Sequence, residues 1–298
     1  MTTHRRRFLT ATAMAAAGVA AGSFSALQAA SAAEEPLPKA ALKLSSQLGI
    51  IPGKELEEKL AKMGKWGFDG VELGGDIVGN VKKYQDAIAK TKLKFSAVCY
   101  GSLKGDVVSE VKSKRQPAIE QLKKVIEAAG ELQCTGVIYV PAFNGQTTLT
   151  NQEIRRLVLD TLPKIGEFAV KAGTRLLLEP LNRGEAFFLR QLADAASICR
   201  DCKSPGVCMM GDFYHMYIEE TSDQGAFISA GKYLHHVHLA SRKRVMPGQD
   251  ERRFVDGFKG LKAIGFQDYC SFECGCDGDR ETEIPKSMAF LRKEWDLA

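Results

Sequence analysis

With 298 residues, 45% of them hydrophobic and 26% charged, the chain has enough apolar material to bury a full globular core. The formal net charge of +5 includes Arg5, Arg6 and Arg7, and without those three it falls to about +2. No run of five or more basic residues then remains to bind nucleic acid or anionic lipid, so neither is an expected partner.

The chain opens with Arg5-Arg6-Arg7-Phe8-Leu9, a small apolar run from Ala11 to Ala21, and an Ala-rich stretch ending Ala30-Ser31-Ala32-Ala33. A charged start, an apolar middle and an A-x-A end make a secretory signal. The paired arginines followed by Phe-Leu resemble a twin-arginine export signal, a receptor-read address. Residues 1–33 are therefore set aside as a signal, with an exported, periplasmic product expected. A membrane anchor needs ~20 strongly apolar residues, and the Gly, Ser and Thr here weaken the run. Stable membrane insertion is not expected. Residues 34–298 remain as one domain.

From Ala41 onward, short apolar runs alternate with stretches of helical period. The strands are expected at 42–48, 70–73, 95–100, 136–140, 175–179, 207–212, 234–239 and 269–273. Amphipathic segments follow each in turn, at 55–66, 81–91, 117–131, 152–172, 189–201, 224–232, 254–264 and 282–295. Within the first of these, Leu56, Leu60 and Met63 share one face. Gly67, Gly130, Gly173 and Gly265 stand where C-terminal glycine caps are expected. Eight apolar strands alternating with eight helices describe a parallel sheet covered on both faces, and a closed (β/α)8 barrel is the economical solution. An open doubly wound sheet would want a Gly-rich phosphate loop after the first strand, and Ser45-Ser46-Gln47-Leu48-Gly49 is not one.

Eight cysteines are spread over the barrel segment, with Cys199-x-x-Cys202 and Cys274-x-Cys276 the close pairs. No second C-x-x-C stands at zinc-ribbon spacing. They read as small buried residues or unpaired thiols.

A barrel gathers its active site at the C-terminal ends of its strands. The fifth expected strand ends in Glu179, the sixth in Asp212, the seventh in His238 and the eighth in Glu273. Any one of these alone is an ordinary strand end. Four on successive strands would place three carboxylates beside one imidazole, an arrangement that repels itself without a cation. Such an oxygen-rich set suits one divalent ion, Mn²⁺, Co²⁺ or Mg²⁺, better than a thiolate-bound structural zinc. Glu72 ends the second strand and faces either the pocket or a salt bridge. Alternation turns His236 inward with His238 and His235 outward to the helices.

Between Glu179 and Glu273 the sequence resembles the sugar phosphate isomerase/epimerase family with the xylose isomerase-like barrel, and its motif spacing is most similar to that of the ketose 3-epimerases. The segments that carry the resemblance are Leu178-Glu179-Pro180-Leu181-Asn182-Arg183-Gly184-Glu185, Gly211-Asp212-Phe213-Tyr214-His215-Met216, His236-Val237-His238-Leu239-Ala240-Ser241-Arg242-Lys243-Arg244 and Tyr269-Cys270-Ser271-Phe272-Glu273. The Gly67–Leu73 segment looks like the family's second strand. The resemblance implies Glu179, Asp212, His238 and Glu273 as metal ligands, and Glu179 and Glu273 as the acid/base pair. It implies Glu185, His215 and Arg244 as residues that contact the sugar. The chemistry it implies is proton abstraction beside a carbonyl, through an enediolate, in a small carbohydrate substrate.

Two positions depart from the ketose epimerases. Gly184 stands where they usually carry Phe or Tyr, and Ala240-Ser241-Arg242-Lys243-Arg244 replaces the more usual Ala-Asp-Ser-Asn-Arg. Both point to a substrate larger than, or different from, a free hexulose, such as a keto-sugar or a glycoside. Isomerisation, epimerisation and loss of water share the same first step, so a keto-sugar or keto-glycoside lyase stays open beside the epimerase, and a non-catalytic sugar-binding protein behind both. An abasic-site endonuclease on this barrel would want more histidines than the four left after the signal. Homo-oligomer formation is left open.

Overall fold

The computed structural model describes residues 37–298. The signal-like segment, residues 1–33, lies outside them. Eight parallel strands run β1 Lys43–Ser46, β2 Gly70–Gly74, β3 Lys94–Gly101, β4 Val137–Tyr139, β5 Leu176–Leu178, β6 Val207–Asp212, β7 Leu234–Leu239 and β8 Tyr269–Phe272. Neighbours pair in the order β1-β8-β7-β6-β5-β4-β3-β2. One backbone bridge, Gln47 to Glu72, joins β1 to β2 and brings the two edges together. The result is the expected (β/α)8 barrel.

The helices are α1 Leu56–Trp66, α2 Val81–Ile88, α3 Lys112–Glu131, α4 Asn151–Lys171, α5 Leu192–Cys202, α6 Phe213–Glu219, α7 Asp223–Ala230, α8 Val255–Ala263 and α9 Arg280–Leu297. Four expectations need correction. Helix α3 begins five residues before Pro117 and carries that proline in its second turn. Gly130 lies inside α3 rather than capping it, at a close approach where a Cβ would stand 1.9 Å from the Ala172 carbonyl oxygen. Helix α6 was not expected, because seven residues give too little periodicity to read; Asp212 caps it by accepting from Tyr214 N at 2.7 Å. Strands β5 and β8 each stop one residue short of their glutamate. Gly67, by contrast, is the expected left-handed cap, with φ 86°. A clash of Cβ with the carbonyl oxygen makes that conformation costly for a residue with a side chain.

Two apolar clusters matter for the site. The large one lies between strands and helices, and contains Leu44, Val71, Val137, Leu176, Val237 and Phe272. The alternation of side chains along a strand sends their neighbours inward. There Ala97, Ile138, Leu177, Cys208 and Met210 form a separate cluster inside the barrel. The interior on the side of β7, β8, β1 and β2 is polar instead: Ser45, Glu72, His236 and Ser271 are buried there. Ser45 and Ser96 hydroxyls hydrogen-bond at 2.7 Å. All eight cysteines are unpaired, and five are buried.

Candidate metal and active site

Glu179 follows β5 directly, Asp212 is the last residue of β6, His238 lies within β7, and Glu273 follows β8 directly. Each offers a ligand atom, and these atoms all lie within 4.8 Å of one another. The four residues proposed from the sequence thus share one site. His238 Nδ1 sits 3.0 Å from Glu273 Oε2, 3.5 Å from Glu179 Oε1 and 3.9 Å from Asp212 Oδ2. Although buried, this nitrogen has no oxygen in hydrogen-bonding alignment. Burial opposes charge on the His238 ring, yet Glu273 and Glu72 raise its pKa well above the ordinary value. The pocket favours positive charge at that atom, and a cation that displaces the proton meets the same demand. Three carboxylates around an unpartnered imidazole nitrogen fit a divalent ion.

The two glutamates differ. Burial pushes the Glu179 carboxyl up, and the charge of Glu273 adds to it beyond what the neighbouring His238 imidazole recovers. For Glu273 burial also opposes ionisation. Its ion pair with His238, then the Arg244 guanidinium, outweigh that and hold it well below the usual carboxylate range.

The expected sugar-contacting residues surround these ligands as one network. Arg244 Nη1 donates to Asp212 Oδ2 at 2.8 Å, and its Nη2 donates to Glu273 Oε2. His215 Nδ1 accepts from Asn182 N at 3.2 Å, which leaves the proton on Nε2, 3.5 Å from Asp212 Oδ2 and 3.3 Å from Arg244 Nη1. Asn182 Nδ2 reaches both His215 Nδ1 at 2.8 Å and Glu185 Oε1 at 2.9 Å. Glu185 itself is exposed, at the rim.

Arg244 is held from several sides. Its backbone is left-handed, with φ 58°, a conformation that costs a residue with a side chain roughly 1–2 kcal/mol. Asp250 supports the loop by accepting from Ser241 Oγ at 2.9 Å and Lys243 N at 3.0 Å. The guanidinium lies 4.6 Å from the Tyr214 ring centroid, and Gly275 N donates to the Arg244 carbonyl at 2.7 Å. Strain at a side chain aimed between two carboxylates is the kind that persists where surrounding contacts over-determine it.

Sequence reasoning left three residues without a role. Glu72 is fully enclosed and accepts from His236 Nε2 at 2.7 Å and from His238 Nε2 at 3.1 Å, so it belongs beneath the site. Gln47 donates from one amide nitrogen to Glu72 Oε1 at 3.0 Å and to Glu273 Oε1 at 2.8 Å. Asn182 stood in a recognised motif, but only the fold shows it joining Glu185 to His215. A polar residue ending an apolar run was the available signal for Gln47. His236 does turn inward, and His235 instead pairs with Asp268 at 2.8 Å.

The rim carries the other departures. Gly184 is exposed; its N donates to Asn182 Oδ1 at 2.8 Å, and a Cβ there would stand 2.9 Å from that oxygen. Asn144, after β4, ties its loop to the same rim by accepting nothing and donating twice, to the Glu185 carbonyl at 2.7 Å and the Arg183 carbonyl at 3.1 Å. Ser102 and Gln146 hydrogen-bond at 2.7 Å, linking the β3 and β4 loops.

Barrel and site together define a class, and residues 60–294 match the family described as Xylose isomerase-like TIM barrel. The chain belongs to that family. It is 30% identical over 262 residues to the 3-dehydro-D-guloside 4-epimerase of Escherichia coli K12, spanning 84% of this chain and 99% of that one. A probable ketose 3-epimerase of Synechocystis is 25% identical, over 73% of this chain and 77% of its own. Among solved structures, the apo form of an E. coli 3-keto-D-glucoside 4-epimerase superposes with a TM-score of 0.78 at 28% identity, covering 85% of this chain and all of the other. These relatives are named epimerases, which supports an enzyme of the isomerase class here. Among the described residues no helix is long and apolar enough to cross a membrane.

Proposed function

We propose that the chain is a divalent-metal-dependent epimerase of keto-sugars, acting on a keto-glycoside in preference to a free ketohexose. The observation that carries this reading is the cluster of Glu179, Asp212, His238 and Glu273, with His238 Nδ1 buried and unpartnered among three carboxylates. An ion held there would supply a Lewis acid for the carbonyl and neighbouring hydroxyl oxygens of the substrate. Asp212 presents Oδ2 to the site because its Oδ1 is committed to capping α6.

Glu179 and Glu273 enter from different strands and serve as the two proton-carrying groups. One carboxylate oxygen takes the proton from the carbon beside the carbonyl, and the other glutamate returns a proton to the opposite face. A positioned proton-transfer group of this kind is worth about 10²–10⁴ in rate. Arg244 and the Nε2–H of His215 donate to oxygens on which negative charge develops. Glu185, fixed by Asn182, accepts from a sugar hydroxyl at the rim. Gly184 carries no ring to cover the sugar from the rim, so a glycosidic substituent can extend there. The name of the E. coli relative, an epimerase of a dehydro-guloside, supports the same substrate class.

The proposal extends to location: residues 1–33 act as a twin-arginine signal, so that the enzyme is exported to the periplasm. Cell fractionation with and without Arg5→Lys and Arg6→Lys checks this, and unchanged periplasmic yield would count against it.

The test of function is solvent-deuterium exchange into a panel of 3-keto-glycosides, ketohexoses and inososes with Mn²⁺ supplied, and Glu273→Gln as the control. Exchange that yields an epimer, lost in the control, is the expected result. Loss of water or of the glycosidic group after exchange would make the protein a lyase. Exchange confined to free ketohexoses would overturn the substrate assignment.

A further inference from the structure

Resting on that metal-site reading, we infer that Glu72, with Gln47 and His236, is a positioning unit that fixes the His238 tautomer and the Glu273 carboxylate for metal binding. Glu72 lies one layer below the mouth, with its carboxylate wholly enclosed.

Counting donors and acceptors makes the case. Glu72 Oε1 accepts from Gln47 Nε2 and His238 Nε2, and Oε2 accepts from His236 Nε2 and His238 Nε2. A carboxylate only accepts, so both histidines must present Nε2–H to it. His238 is thereby held in the tautomer whose Nδ1 carries the lone pair, and Nδ1 is the atom that faces Glu179, Asp212 and Glu273. Ligand histidines commonly have their ring fixed in this way by a carboxylate behind them. The same three side chains Glu72, His236 and His238 also lie close enough to suggest a second ion site. The two Nε2 atoms and the carboxylate oxygens that face one another are consumed by the direct hydrogen bonds just described, so the triad is a support and not a site.

Gln47 extends the support to a second ligand. Its amide has two N–H groups, and one goes to Glu72 and the other to Glu273 Oε1. That leaves Glu273 Oε2 turned toward His238 Nδ1 and Arg244. A Gln at position 72 breaks the logic, since its amide nitrogen can only donate. One of the two histidines must then offer a lone pair at Nε2, and if it is His238 the proton moves to Nδ1 and points into the metal pocket.

The experiment compares wild type with Glu72→Gln by Mn²⁺ titration, reading free Mn²⁺ by electron paramagnetic resonance, and by ¹⁵N ring shifts of labelled histidine in the Mg²⁺-loaded protein. The expected result is a 10–100-fold loss of Mn²⁺ affinity, with the His238 signals shifted away from the Nε2–H form. Far-ultraviolet circular dichroism and the metal-free unfolding midpoint report separately on folding. Should Glu72→Gln not fold, the wild-type spectrum still decides: His238 protonated at Nδ1 in the Mg²⁺-loaded chain overturns the inference. Equal Mn²⁺ affinity in folded wild type and variant overturns it as well. Failure of the underlying metal reading looks different, because the wild-type chain itself then binds no Mn²⁺, and the inference falls with it.

Discussion

The barrel interior has two halves built from the same parallel strands. Along β3 to β6 it is filled by Ala97, Ile138, Leu177, Cys208 and Met210; along β7, β8, β1 and β2 it is filled by buried hydroxyls, imidazoles and a carboxylate. One of the two glutamates proposed to carry protons is rooted in each half. Glu179 stands one turn of the pleat above Leu177 and meets little besides His238, so burial dominates and its carboxyl is pushed up. Glu273 stands above Ser271 within reach of Gln47, His238 and Arg244, and its carboxyl is held low. The same residue type thus receives opposite environments from the layer beneath it. The apolar half supplies stability through packing, whereas the polar half spends buried hydrogen bonds on orienting groups at the mouth.

Substitutions can break this contrast. Glu179→Gln is expected to have the largest effect, lowering turnover by about 10²–10⁴ while the unfolding midpoint stays close to wild type; a loss under tenfold would remove Glu179 from the proton-transfer pair. Leu177→Ala, one layer below it, should do the reverse. It costs about 2–5 kcal/mol in urea unfolding and leaves Mn²⁺ affinity within a few-fold, and an affinity loss as large as that of Glu72→Gln would erase the distinction between the halves. A third region calibrates both. Glu294 on α9 accepts from Arg253 Nε at 3.0 Å and from Phe254 N at 2.9 Å, holding the start of α8. Burial opposes its charge, but these bonds outweigh it and depress its pKa. A depressed carboxylate pKa contributes stability above its unfolded value, near 4.3, that is lost as pH falls through the folded value. The stability gap between wild type and Glu294→Gln, measured on metal-free protein, should therefore be present at pH 7 and shrink toward pH 3. A gap that holds constant across that range would mean the contribution is packing alone.

Most of the barrel was legible because each strand is a local apolar run and each long helix a local stripe. The four proposed ligands were legible for a related reason: a charged residue closing an apolar strand is visible one strand at a time. What escaped depends on contacts between distant segments. Glu72 carries no local mark that separates a surface ion pair from a carboxylate beneath two histidines; its partners lie more than 160 residues away. Gln47 gains its meaning from Glu273, 226 residues along the chain. Gly130 looked like a cap because glycine at a helix end usually is one, yet its role is to let α3 approach the end of α4. Helix α6 is defined by the Asp212 cap and not by any pattern of its own.

The pairing of the first strand with the last has a consequence for how the enzyme comes into being. Strands β1 and β8 pair across almost the whole chain, with Lys43 opposite Tyr269, and contacts of such long sequence separation form late because the loop they close must be ordered first. Glu273, the proposed ligand after β8, and Gln47 beside it meet only when those two strands pair. A chain still emerging from the ribosome can assemble its apolar half from strands already made, but it has no complete cation cage. On the proposed metal reading, acquisition of the ion would then wait for the finished barrel, and the seam between first and last strands would stand as the checkpoint between a folded scaffold and a competent enzyme.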